Sequence, residues 1–343
     1  MGAAIFLYNY DKWYKQTDIY FDFANSLVLN ITKDLKQYSM RPFSSGVFGI
    51  AQGFRNLVEN DFIEGDSLWG NLEKSIIKLP GGIFREPDVE SCGTALFFNS
   101  WNEFRKVPNP SREDELDYLV VKDKIITFLE STHMLLKQLS DAVREKRVPK
   151  KDREHICYLY HICGMVAVML KGCGEKYPEF CNQVREHVIG VAANTPTFLR
   201  HLFEFAEKTD DLEPMFRAVL TFFTSILAYP GIDAELIGRD MDSSLGLIRQ
   251  WREDKRRKSI DNDPYVVDVR FLSTLNILYN RHATEDIRLL RDYHFNRTID
   301  LFSTAAAYNR KDLGIAGLGG LGLATLSYMK EKCFNWEDLL IIC

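Results

Sequence analysis

The chain has 343 residues, 46% hydrophobic and 27% charged, with 43 Lys and Arg against 48 Asp and Glu. It is too apolar for a disordered protein. Its net charge of −5 argues against a main role in coating nucleic acid or anionic lipid, though not against a local basic patch. The length predicts one elongated or two compact units.

At the start, Met1 to Phe6 lacks the basic flank and long apolar run of a signal peptide. Gly2 stands where myristoylation would need it, but Phe6 occupies the position that calls for Ser or Thr. The cysteines Cys92, Cys157, Cys163, Cys173, Cys181, Cys333 and Cys343 are odd in number and several sit in apolar helical patterns, unlike a secreted disulfide framework. These features point to a reducing compartment, cytoplasmic or nuclear.

Helices are expected over 17–38, 45–59, 66–79 and 88–105, with breaks at Pro80-Gly81-Gly82 and Val107-Pro108-Asn109-Pro110. The next runs over 112–145, where Ser111 precedes Arg112, Glu113 and Asp114, so acids enter the first turn. Ile125, Leu129, Leu136, Leu139 and Val143 give it one apolar face. Helices over 150–171 and 178–193 follow, and Thr195-Pro196 reads as the cap and first residue of another over 196–208. Met215, Val219, Leu220, Phe223, Ile226 and Leu227 mark 212–228, which stops before Pro230-Gly231. The remaining helices are placed at 232–252, 264–281, 285–308, 312–332 and 336–343. The capping signals are Asp263-Pro264, and Thr284 followed by Glu285 and Asp286.

This is an all-α pattern. Two helices with their links recur at roughly 35–45 residues, and pairs such as 196–208 with 212–228 carry Leu/Phe faces suited to stacking. In architecture the chain resembles the armadillo/HEAT-like helical-repeat proteins. The resemblance implies an α-solenoid of stacked antiparallel helix pairs with a groove for a protein partner; a large helical bundle fits the same pattern. The expected division is an N-terminal helical region over 1–110, central helical repeats over 111–252, a charged linker over 253–263 and a C-terminal helical region over 264–343. The longest uncharged stretch, Leu313 to Met329, falls short of the ~20 apolar residues of a membrane span, so none is expected.

Gly317, Gly319, Gly320 and Gly322 spell G-x-G-x-x-G, the spacing that lets a tight turn present a helix N-terminus to phosphate. With Leu313 to Ala316 and Leu339 to Cys343 as flanking strands, this segment resembles the opening βαβ unit of ubiquitin-activating-like adenylating enzymes. That resemblance implies a nucleotide-binding enzyme fragment. One βαβ unit cannot form a nucleotide-binding sheet and no further strand follows. The reading that fits the context is a small-residue helix packed closely against its neighbours, with no cofactor expected.

Cys157 and His161 are four residues apart on one helical face, the geometry of a metal pair. His155 and Cys163 project elsewhere, and the better reading is buried core cysteines beside a partly exposed histidine. Lys255, Arg256, Arg257 and Lys258 form a basic patch ahead of Ser259, a pattern for a basophilic kinase or for nuclear import. Without interleaved aromatic residues it argues weakly for nucleic acid, and a solvated charge run is the plain alternative. The function expected is a non-catalytic scaffold or adaptor for a protein partner.

Overall fold

The computed structural model describes residues 1–14, 18–34, 43, 46–64, 91–97, 112–146, 150–170, 178–207, 211–227, 229, 231–256, 268–303, 317–331 and 336. In chain order the helices are α1 (Gly2–Tyr14), α2 (Ile19–Lys33), α3 (Val47–Glu59) and α4 (Arg112–Glu145), then α5 (Arg153–Leu170), α6 (Pro178–Phe205) and α7 (Glu213–Leu227). α8 (Ala234–Arg256), α9 (Val269–Arg281), α10 (Glu285–Ser303) and α11 (Leu318–Lys330) complete the set. Residues 91–97 are also helical, and no strand occurs among the described residues. The fold is therefore all-α, as the periodicity predicts. No helix among the described residues is long and apolar enough to cross a membrane.

The chain divides into two compact units. The first comprises Met1–Phe128, Asp268–Asn276 and His294–Ile341, and the second Leu129–Val267, Ile277–Tyr293 and Ile342–Cys343.

In the first unit, α1 packs against α2, α11 and α3. This helix lies where the sequence reading places none, because aromatic residues on several sides blur its period. Ala4, Ile5 and Tyr8 nevertheless form a buried stripe. Tyr8 stacks on Phe62 at 5.1 Å, meets the edge of Phe21 at 5.2 Å, and donates its hydroxyl to Asn25 Oδ1 at 2.5 Å. Burial pushes its phenol up to about 12. From α9, the fully buried Asn276 donates to the carbonyl of Ala324 in α11 at 2.9 Å. Phe295 of α10 stacks on Tyr328 of α11 at 4.2 Å.

In the second unit the helices pack on alternate neighbours, α5 on α7 and α6 on α8. Every residue of α7 from Met215 to Ile226 except Arg217 is buried. Gly164 brings α5 and α7 together, since a Cβ there would meet Phe222 Cα at 3.3 Å and Ser225 Oγ at 3.2 Å. Asp211 caps α7 by accepting from Glu213 N at 3.0 Å, and Asp233 caps α8 by accepting from Glu235 N at 2.9 Å.

Here the sequence reading needs a correction. Thr195-Pro196 does not separate two helices; α6 is continuous through Pro196. Proline removes the donor that would serve the carbonyl of Ala192. Side chains reinforce the turn just before it: Asn194 Nδ2 donates to Gly190 O at 2.8 Å and Thr195 Oγ1 to Val191 O at 2.7 Å. The buried Tyr160 hydroxyl lies 2.9 Å from Thr195 Oγ1, tying the proline turn to α5. α8 also runs further than expected, so the charged residues Glu253 to Arg256 are its last turn.

Candidate functional site

The glycine segment begins at a helix N-terminus. Gly317 is the N-cap, with φ −107° and ψ −143°, and α11 starts at Leu318. Gly319 and Gly320 are buried inside that helix, and a Cβ at Gly322 would meet Phe6 Cδ2 and Cε2 of α1, both at 2.9 Å. Close packing of α11 on α1 thus accounts for Gly322. The flanking segments 313–316 and 339–343 lie outside the described residues.

Cys157 and His161 both lie on α5. Cys157 Sγ is 3.9 Å from the thioether of Met215, and burial pushes its thiol up to about 11. That environment favours the neutral thiol over the thiolate a metal requires. Among the described residues no group of three or more His, Cys, Asp or Glu side chains could hold a metal ion. Cys92, Cys157, Cys163 and Cys181 are free thiols, and all but Cys157 are buried. Lys255 and Arg256 belong to the last turn of α8, while Arg257, Lys258 and Ser259 lie outside the described residues.

Among the described residues is a polar cluster that the sequence reading did not identify. It lies in the second unit, where the end of α9 and the start of α10 meet α8. Asp242 holds His282 Nε2 with both carboxylate oxygens, at 2.9 and 3.0 Å. Two turns along α8, Arg249 bonds Asp286 at 2.6 Å and its own Glu253 at 3.0 Å. Thr284 caps α10, accepting from Ile287 N at 3.4 Å. Arg281 Nη1 reaches the carbonyl of Thr224 on α7 at 3.4 Å. Arg291 is only 3% exposed, and its guanidinium lies 3.7 Å from the Tyr279 ring centroid. Hydrogen bonding to Arg288 depresses the Glu285 carboxyl below its ordinary value.

Near the end of α8 a second anchor forms. Arg252 grips both carboxylate oxygens of Glu213, one through Nη2 and the other through Nε at 3.2 Å. Its guanidinium also sits 5.8 Å from the Phe216 ring, which Trp251 meets edge-on at 5.2 Å. This clamp fixes the helix immediately before the basic run.

These pairs position helices and present charge; they do not set a nucleophile beside a base. In Arg249–Asp286, Arg252–Glu213 and His282–Asp242 the partners are 37 to 40 residues apart, beyond the reach of any local motif. No known family, curated protein or solved structure matches the chain.

Proposed function

We propose that this protein is a helical scaffold or adaptor that binds a protein partner, with the second unit built as an α-solenoid-like stack of the armadillo/HEAT kind. The observation that carries the reading is the alternate-neighbour packing of α5 on α7 and α6 on α8. Successive helix pairs in a solenoid stack in that manner, like upon like, and each pair contacts only its neighbours. The outward side of α6 and α8 then offers Glu186, Arg200, Glu204, Arg239, Ser243 and Gln250, all exposed. Mixed charge of this type confers partner selectivity and steers encounter.

The test is affinity capture with the full chain beside a variant carrying Arg200→Glu and Arg239→Glu. A stoichiometric partner retained by the wild type and lost by the variant, at unchanged helicity, supports the reading. Equal capture by both, or no stoichiometric partner, counts against it. Saturable binding of ATP or NAD to the same preparation would favour a nucleotide-binding protein instead.

A further inference from the structure

We propose that His133 and His187 form an acid-sensitive joint that holds residues 129–145 of α4 against α6 at neutral pH and releases them on acidification. All of these residues belong to the second unit. The two imidazoles meet edge to face with centroids 5.4 Å apart. One helical stretch further on, Ser140 Oγ lies 4.0 Å from the position a Cβ of Gly190 would take, so the two helices approach at a second point.

Leu129, Leu136, Leu139 and Val143 of α4 are buried, as are Val184, Val188 and Val191 of α6. The histidine pair is the ring contact that joins the two helices. Protonating both rings puts two like charges on rings whose centroids are 5.4 Å apart, a repulsion that a half-buried site screens incompletely.

The charged groups facing His187 come from both helices. Burial, then His133, pushes the imidazole down from its ordinary value; Glu186 of α6 and Asp141 of α4 pull it up, and Lys137 of α4 adds to the lowering. The docked ring therefore holds its proton less well than the released ring. The joint is fully made above the ordinary histidine value and weakens as pH falls below about 6.5. The inference does not depend on the scaffold reading.

Hydrogen exchange of the full chain, corrected for intrinsic rates, tests it between about pH 7.5 and about pH 5.5. Amides of 129–143 should lose protection several-fold on acidification, because the docked His187 ring holds its proton less well than the released one. His187→Gln keeps a polar side chain that cannot ionise, and should abolish the pH dependence while leaving neutral-pH protection nearly unchanged. His133→Gln should do the same and serves if His187→Gln fails to fold. His282→Gln, which removes a histidine outside the joint, should leave the acid response in place. The proposal is overturned if the wild type shows no acid response in this segment, or if the response persists in both glutamine variants.

Discussion

Two glycines let helices close on each other, and the obstacles they avoid differ in kind. Gly164 of α5 faces the backbone of α7, with Phe222 Cα at 3.3 Å from a would-be Cβ. Gly322 of α11 faces the Phe6 ring of α1 at 2.9 Å, which is nearer but is a side chain, and Phe6 is only half-buried. A backbone inside a helix buried along most of its length cannot move without displacing the core around it, whereas a ring at a boundary can turn aside. The shorter distance thus marks the more forgiving position. A third glycine completes the scale: Gly246, exposed within α8, has nothing within 4 Å.

The largest effect should come from removing what lies behind the unyielding side. Phe222 is fully buried and meets Tyr160 edge-on at 5.5 Å. Phe222→Ala should destabilise the protein by about 3–5 kcal/mol through lost burial and a residual cavity, measured by urea denaturation followed by circular dichroism. A loss under ~1 kcal/mol would show that the α5–α7 contact is looser than described.

Next, Gly164→Val should cost about 1–3 kcal/mol from overpacking. Because the obstacle is Phe222 Cα and the Ser225 side chain, trimming the ring in Phe222→Ala should rescue little of that loss. Full rescue would mean that the ring, not the backbone, sets the spacing.

Gly322→Ala should behave oppositely. Displacement of Phe6 and the better helix propensity of alanine nearly offset each other, leaving a net change within about 1 kcal/mol. In a Phe6→Ala background the clash is gone, and the same substitution should stabilise by about 0.5–1 kcal/mol. A double-mutant cycle reads the coupling directly, and strict additivity would refute a Phe6–Gly322 contact.

The smallest effect belongs to Gly246→Ala, where neither obstacle nor partner exists. It should stabilise by about 0.5–1 kcal/mol, the ordinary gain of alanine over glycine in an exposed helix interior. A loss of stability there would reveal a contact that space alone does not show.

Much of the fold was legible because helix signals are local. Ile125, Leu129, Leu136, Leu139 and Val143 predict a face and all five are buried. Thr284 lies at a helix start and caps it. The site candidates fared differently. Gly322 fits the phosphate-loop spacing, but its sequence context favours a closely packed small-residue helix; the neighbour it packs against, Phe6, lies more than 300 residues earlier and is not legible locally. α1 escaped notice because Phe6, Leu7, Tyr10, Trp13 and Tyr14 distribute apolar surface around the helix, leaving no contrast between its faces.

What the sequence determined by itself was the helical class and the Thr284 cap, since spacing at 3.6 residues and a side chain beside a free N–H act within a turn or two. Only the tertiary structure decided that α6 continues through Pro196, where Tyr160 of another helix lies against Thr195. Only it paired His282 with Asp242, Arg249 with Asp286, and His133 with His187. Each pairing joins different elements of the chain, and no short-range term encodes such a meeting. It follows from which apolar faces bury together, and the charges and rings at their borders then meet.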